Sequence, residues 1–341
     1  MKKSSLVALG LASISLVLGS PVSLAAHESS PLSEVEAIAL PNVSGRIDHF
    51  SADVRGRRLF ISALGNHTVE VVDLTAGKWL RSLSGVQKPQ GECYVGRLGK
   101  LFTADGAAGD VKVYKGTDLQ LVATIPLDLG PDAETYDPAT HRLYVGYGGE
   151  DAGKSYGEVG IIDVVADRHI GDIRTSAHPG AILVGHPGRT IYITVPKTQE
   201  VSQIDARTGR MVATWKSKEG SPDALAYDPS RNRLFVGTRN PAQVEVFDVR
   251  SHRWIVSLPS VGLMDGLFYD SVHRRIYASG GDGSVAVYQQ LSADHYEQLA
   301  SVPTGPNART SLWVGGLNRY YVAVPAGAGH GAEVLDLEPA Q

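Results

Sequence analysis

The residues with the clearest chemical potential are carboxylates that recur in a repeated phrase of the sequence. The phrase Asp223-Ala-Leu-Ala-Tyr-Asp-Pro is matched by Asp132-Ala-Glu-Thr-Tyr-Asp-Pro, so an aspartate opens both. Further acidic, basic and histidine residues lie near the corresponding positions of the other repeats. The full candidate set is Arg46, Asp48, His49, Gln90, Glu92, Asp132, Glu134, His178, Asp223, Asp265 and Arg309. If these side chains converge, they could hold a cation, a polar ligand or a basic peptide.

The same aspartates also have a purely structural interpretation. An aspartate at the entrance of a strand commonly caps a turn by accepting backbone N–H bonds. Turn capping explains any single one of Asp48, Asp132, Asp223 and Asp265, whereas convergence explains them as a group. Neighbouring loops would add Asn66, Asp105, Lys197, Arg239, Asp282 and His330 to such a group.

The phrases that position these residues recur seven times, about every 40–50 residues, which is typical of a propeller or solenoid. The phrase Arg233-Leu-Phe-Val-Gly follows the first one and Val244-Glu-Val-Phe-Asp-Val comes next, and both have counterparts in the other repeats. The runs are short, β-branched and aromatic, and turn residues bound them, so each unit reads as four strands. The sequence therefore predicts an all-β fold, a seven-bladed β-propeller of four-stranded antiparallel blades.

The last repeat lacks its fourth strand, because the chain stops after Ala332-Glu-Val-Leu-Asp-Leu. Near the other end, the segment Val35-Glu-Ala-Ile-Ala-Leu resembles an outer strand of the other repeats. We predict that this segment completes the last blade, which closes the ring and removes open edges.

The phrases Tyr136-Asp-Pro and Arg142-Leu-Tyr-Val, with their repeats, resemble the YVTN-repeat β-propeller family, the YncE-like proteins of bacteria. The resemblance covers about residues 30–340. The literal Tyr-Val-Thr-Asn string is absent, and Tyr192-Ile-Thr-Val is its nearest form. The resemblance implies a propeller, but the wider superfamily includes binding proteins, lactonases, lyases and cofactor-bearing redox propellers. Fold alone does not choose among them.

The first 25 residues have the pattern of a secretory signal peptide: Lys2 and Lys3, then a short apolar run, then Ser23-Leu-Ala. We predict their removal, a single domain over residues 26–341, and a periplasmic or secreted protein. Cys93 is the only cysteine, so an internal disulfide is excluded. The net charge of -4 gives no nucleic-acid signal. No apolar run beyond the signal is long enough to span a membrane.

One segment matches a phosphate-binding loop by its letters alone. Gly148-Gly-Glu-Asp-Ala-Gly-Lys-Ser has the required spacing, but a strand follows it where the motif needs a helix. Glu150 and Asp151 would also repel phosphate. We therefore predict no nucleotide cofactor.

The leading functional hypothesis is a binding or scaffold protein, a monomer that presents a site for a small polar ligand or a protein partner at the loop face of the channel. A first alternative is a lactonase- or lyase-type enzyme. It would hold a divalent cation on Asp132, Glu134 and Asp223, with His49 or His178 as general base. A second alternative is a redox propeller with copper or haem, for which the same-face histidines are His49, His67, His178 and His330.

Overall fold

The computed structural model describes residues 30–340. Over this range the chain forms strands β1–β28 in seven four-stranded sheets, together with four short 3-10 turns. The predicted signal peptide, residues 1–25, lies outside the described residues. Residues 30–340 include no helix with the length and apolar character that a membrane span requires.

Each sheet is one blade, and in blades 1 to 6 the strands follow chain order from the channel outwards. Blade 1 contains β2 (Phe50–Asp53), β3 (Arg58–Ala63), β4 (Thr68–Asp73) and β5 (Lys78–Leu83). Blade 2 contains β6 (Pro89–Val95), β7 (Lys100–Asp105), β8 (Asp110–Lys115) and β9 (Leu121–Pro126). Blade 3 contains β10 (Glu134–Asp137), β11 (Arg142–Gly148), β12 (Gly157–Asp163) and β13 (Arg168–Thr175). Blade 4 contains β14 (Ile182–His186), β15 (Thr190–Val195), β16 (Glu200–Asp205) and β17 (Arg210–Lys216).

The remaining blades follow the same plan. Blade 5 contains β18 (Ser221–Asp228), β19 (Arg233–Arg239), β20 (Gln243–Asp248) and β21 (Arg253–Pro259). Blade 6 contains β22 (Met264–Asp270), β23 (Arg275–Gly280), β24 (Ser284–Gln290) and β25 (Tyr296–Pro303). Blade 7 contains β26 (Ser311–Val314), β27 (Arg319–Val324), β28 (Ala332–Pro339) and β1 (Leu32–Leu40). The predicted seven-bladed, four-stranded all-β fold is confirmed.

The core lies between the blades, because each sheet buries its two faces against its neighbours. The second strand of each blade carries the largest buried side chains. Tyr277 of blade 6 and Tyr320 of blade 7 are both 0% exposed, with ring centroids 5.1 Å apart. A single blade would leave such rings in water, so the blades stabilise one another.

The N-terminal strand closes the ring, as predicted. β1 pairs antiparallel with β28 from Leu32–Pro339 to Leu40–Ala332, with one irregularity at Val35. Ile38 and Leu40 of β1 then pack into the core that blade 7 shares with blade 1. The first and last parts of the described chain are therefore held together by both ladder bonds and apolar burial.

Two features direct residues towards one end of the channel. Register irregularities interrupt the first strand of blades 2, 5 and 6, and they leave Gly91, Asp223 and Asp265 out of the ladder. Such bulges re-aim side chains and are common near functional sites. In addition, three of the four 3-10 turns lie between the second and third strands of their blades: Leu64–Asn66, Gly149–Ala152 and Pro196–Thr198; the fourth, Gly315–Leu317, lies between the first and second strands of blade 7.

Candidate functional site

A cavity of about 410 Å³ occupies the centre of the ring. Its wall includes residues from the first strand of every blade: Phe50, Glu92, Glu134, Ile182, Ala224, Leu267 and Ser311. It is therefore the central channel of the propeller. Its volume falls within the range of about 300–1,000 Å³ that is usual for small-molecule sites.

A second cavity of about 360 Å³ adjoins the channel and shares Arg46 and Asp132 with it. The loop residues Gly149, Lys154 and Lys197 help to line it. The loops between second and third strands thus form the entrance to the channel on this face. We call the first cavity the channel and the second cavity the mouth.

The structure brings together all of the sequence-predicted candidates except Arg309. The channel is lined by Arg46, His49, Glu92, Asp132, Glu134, Asp223 and Asp265. Gln90 and His178 line the mouth, and Asp48 lies buried against Arg46. Arg309 lines neither cavity, and its carbonyl oxygen accepts a hydrogen bond from Ser279 Oγ.

Two arginines link three of the aspartates into a chain of alternating charge. Arg46 Nη2 lies 3.0 Å from Asp48 Oδ2 and 3.6 Å from Asp265 Oδ2. Arg239 Nη2 lies 2.9 Å from Asp265 Oδ1, and its Nε lies 3.2 Å from Asp223 Oδ2. Both guanidinium groups are thus already engaged by carboxylates of the protein.

The channel aspartates do not cap turns. Within residues 30–340, none of Asp48, Asp132, Asp223 and Asp265 accepts a hydrogen bond from a backbone N–H. The aspartates that end the third strands behave differently. Asp205, for example, accepts bonds from the N–H groups of Arg207 at 3.0 Å and Thr208 at 2.8 Å. The capping alternative therefore describes those outer aspartates and not the ones at the channel.

Asp132 is the channel aspartate whose nearest charged partner is a histidine. His178 Nε2 lies 3.8 Å from Asp132 Oδ2, and His178 Nδ1 donates to the carbonyl of Gly148 at 3.0 Å. Burial disfavours the charged form of His178, but Asp132 and Gly148 outweigh it and raise its pKa. Burial acts against the charged form of Asp132 too, yet His178, His49 and Arg46 outweigh it and lower its pKa.

Burial raises the pKa of four other acids at the channel. Desolvation raises the pKa of Asp48 to about 6 and that of Asp223 to about 6, in spite of the nearby arginines. Burial also raises the pKa of Glu92 to about 8, and it raises the pKa of Glu134 well above its usual range. The channel therefore holds more carboxyl groups than its own cations balance.

The candidate set predicted from the sequence omits several residues that line these cavities. The sequence suggests Arg239 only as a loop neighbour of the site, whereas in the structure it bridges two blades at the channel. Lys88 and Lys154 line the mouth, and Phe50 and Phe268 line the channel. Arg239 is the last residue of β19, the second strand of blade 5, so its position in the repeat could have predicted that it lies at the channel. The lysines follow no repeated position.

Lys154 is the lysine of the phosphate-loop-like string. Its Nζ lies 2.8 Å from Asp128 Oδ2 and 3.3 Å from Glu158 Oε2, so it is already paired with two carboxylates of the protein. Lys197 pairs with Glu150 in the same loop region. The absence of nucleotide binding stays a prediction.

No metal-binding arrangement is found among residues 30–340, in the sense that no three or more His, Cys, Asp or Glu side chains form a group that could hold an ion. The metal-dependent and haem-bearing alternatives stay hypotheses from the sequence.

Comparisons with known proteins agree with this architecture. No protein-family model matches the chain. A segment of 115 residues is 26% identical to the uncharacterized protein YncE of Salmonella typhi. The match covers 33% of this chain and 31% of that protein, so the chain spans about a third of the curated relative. The resemblance to the YncE-like propellers is confirmed.

Solved structures show the same fold at low identity. A chain of the hydrazine synthase of Kuenenia stuttgartiensis superposes with a TM-score of 0.74 at 18% identity, over 86% of this chain and 97% of that one. A chain of the mitotic checkpoint complex gives 0.76 at 13% identity, over 97% and 99%. The WD40 repeats of RRP9 give 0.71 at 10% identity, over 90% and 98%. These likenesses concern the fold alone, because one fold hosts many unrelated functions.

Proposed function

We propose that this chain is an exported binding protein that takes a small organic cation into its channel through the mouth. The observation that carries the proposal is the set of channel aspartates that cap no turn. Asp48, Asp132, Asp223 and Asp265 come from four different blades or their connections, and the two arginines between them leave an excess of negative charge. Charged side chains that converge in a cavity and do not hold turns are candidates for ligand contacts.

The charge pattern selects the sign of the ligand. Arg46 and Arg239 are engaged by protein carboxylates, so an anionic ligand would have to displace those contacts. Within residues 30–340, Asp132 has only a histidine at 3.8 Å as a charged partner, whereas Asp48 is paired with Arg46 at 3.0 Å. A bound cation would relieve the repulsion among these acids, which burial otherwise leaves weakly screened.

The apolar side chains of the channel wall favour a ligand with an apolar chain. Below the charged entrance, the first strands contribute Phe50, Leu183, Leu267, Phe268 and Leu312. An aliphatic chain can bury its methylene groups against such side chains, at about 0.8 kcal/mol for each one. A short diamine combines these features, because it carries cationic ends on an apolar chain.

The proposal is tested by calorimetric titration with cadaverine and with glutarate, which have chains of similar length and opposite charge. We expect saturable binding of cadaverine and none of glutarate. Binding of glutarate alone would reverse the sign of the site and overturn the proposal. Binding of Ca²⁺ in place of either compound would favour the metal-dependent alternative.

A matched pair of variants locates the binding. The double variant Asp132→Asn, Asp223→Asn keeps side-chain shape and removes two charges from the channel. We expect its affinity for cadaverine to fall at least about tenfold, which corresponds to about 1.4 kcal/mol. Glu297→Gln, on the exposed face of the outer strand β25, removes a charge far from the channel and should leave the affinity unchanged.

A further inference from the structure

Within residues 30–340, Glu134 lines the channel without a hydrogen-bond partner for its carboxyl group. It opens strand β10, both of its carboxyl oxygens are buried, and neither makes a hydrogen bond within residues 30–340. Glu92, the other glutamate of the channel wall, is fully engaged: Ser62 Oγ donates to it at 2.9 Å and Thr103 Oγ1 at 2.8 Å. A buried polar group without a partner costs stability. Because Glu134 lies in a ligand-sized cavity, its missing hydrogen bond points to one that the ligand supplies.

The neighbouring strand is shaped to receive this side chain. A Cβ at Gly91, in the bulge of β6, would lie 2.7 Å from Glu134 Cγ and would overlap the carbonyl oxygen of Asp132. Only glycine lets these two segments approach so closely. The position of Glu134 is thus a built feature of the interface between blades 2 and 3.

The groups that face Glu134 are acids or apolar. β6 contributes Glu92 and Cys93, and Asp132 precedes Glu134 on its own segment. β11 pairs Val145 with Glu134, and β14 lines the cavity with aliphatic side chains. Burial and the adjacent carboxylates favour the neutral carboxylic acid, whose O–H is a hydrogen-bond donor.

We infer that Glu134 donates a hydrogen bond to an uncharged oxygen of the channel ligand, so the ligand is an amine that also carries an ether, hydroxyl or carbonyl oxygen. This inference rests on the proposed function for the cationic end of the ligand. It adds a second contact of different chemistry. The channel then discriminates among amines by an oxygen acceptor, because a buried donor left unpaired costs affinity.

The test compares cadaverine with its isostere in which an ether oxygen replaces the central methylene. The two probes have the same length and charge, so the ratio of their affinities measures the effect of the ether oxygen as a hydrogen-bond acceptor. We expect the wild-type protein to prefer the ether by about tenfold. Glu134→Gln keeps a neutral donor and should keep the preference. Glu134→Leu should abolish it, while Glu297→Leu on β25 should not.

The pH dependence separates a donor from a counter-ion. The wild-type preference for the ether should disappear as the pH rises through the pKa of Glu134, because the ionised acid has no proton to donate. Glu134→Gln should hold its preference over the same range. A carboxyl-carbon NMR titration, with the Glu134 signal assigned from the glutamine variant, should show a protonated group at neutral pH. This measurement needs no ligand and applies even if the leucine variant does not fold.

The outcomes distinguish the two proposals. Equal affinity for both probes, a preference that survives in Glu134→Leu, or an ionised Glu134 at neutral pH would overturn the inference and leave cation binding standing. Failure of both probes to bind would overturn cation binding and the inference with it.

Discussion

Arg239 Nη2 lies 2.9 Å from Asp265 Oδ1, and this contact joins blade 5 to blade 6 at the channel. Arg239 Nε also donates to the carbonyl of Met264 at 2.9 Å and lies 3.2 Å from Asp223 Oδ2. One side chain thus holds both the bulge of β22 and the aspartate of β18. The arrangement couples the charge of the site to the packing of two blades.

Replacement of Arg239 should therefore destabilise the fold in a pH-dependent way. Arg239→Ala leaves Asp223 without its cation, and we expect the free energy of unfolding at neutral pH to fall by about 1–3 kcal/mol. The deficit should shrink below about pH 6, where Asp223 takes up a proton. Chemical denaturation at several pH values checks this. Arg253→Ala on the exposed side of β21 is the control, and an equal deficit at all pH values would contradict the explanation.

Affinity for a cation should rise with pH through about 6. Asp48 and Asp223 have folded-state pKa values of about 6, above the ordinary 3.8, so they are neutral in acid and charged above that pH. His49 and His178, whose pKa values are raised, lose positive charge in the same direction as the pH rises. Cadaverine titrations should show at least about tenfold stronger binding above this range than below it. Flat or falling affinity would count against the site.

The same two acids should make the ligand-free protein less stable as pH rises. Between pH 3.8 and about 6 these two acids hold protons in the folded state that they have released in the unfolded state, so their contribution to the free energy of unfolding falls as pH increases. Asp223→Asn should remove part of this slope. Thermal unfolding of the variant and of Glu297→Gln across this range measures it. An unchanged slope in Asp223→Asn would show that Asp223 is not the group responsible.

Removal of the closing strand should open the ring. A variant that begins at Gly45 lacks β1, so β28 loses its ladder partner and the core between blades 7 and 1 loses Ile38 and Leu40. We expect a loss of several kcal/mol, about 2–5 kcal/mol for each buried aliphatic side chain removed. Calorimetry against a variant that begins at Ser30 measures it. Equal melting temperatures would mean that β1 does not close the ring.

Gly91 should tolerate no larger residue. Gly91→Ala places a methyl group against Glu134 Cγ and the carbonyl oxygen of Asp132, and overpacking of this kind costs about 1–3 kcal/mol. Gly171→Ala on β13 is the matched control, because a Cβ there meets no atom within 4 Å. The two melting temperatures should differ clearly, and a neutral Gly91→Ala would mean that the blades separate easily at this point.

Export should remove the first residues of the chain. The predicted signal peptide has a positively charged start, an apolar run and a cleavage pattern of small residues. We therefore expect the mature chain to begin about 25 residues after Met1. N-terminal sequencing of protein from the periplasmic fraction checks this. Retention of Met1 in that fraction would contradict it.

The fold could be predicted almost completely from the sequence, because a propeller repeats one local pattern. Each unit carries its own strand alternation and its own turn aspartates, such as Asp205 with Thr208, and these signals are read within a few residues. Ring closure by β1 was also predictable, since the last repeat lacked a strand and the N-terminal segment resembled one.

The candidate site was only partly predictable. The repeat register places Asp48, Asp132, Asp223 and Asp265 at equivalent positions, and equivalent positions in a ring face a common axis. Arg309 shares that register, yet it lines neither cavity. A register specifies where a backbone position lies and not where a long side chain goes.

The tertiary structure alone decided which of these residues are engaged and which are free. Side chains from adjacent blades meet at the channel. As a result, Arg239 bridges two blades and Glu92 has two hydroxyl donors, whereas Glu134 has no donor in the part of the chain that the structure describes. The partners are distant in sequence, and no local pattern encodes their distance. Burial then shifts the acids away from their ordinary behaviour, because desolvation is a property of the assembled ring and does not exist in any single repeat.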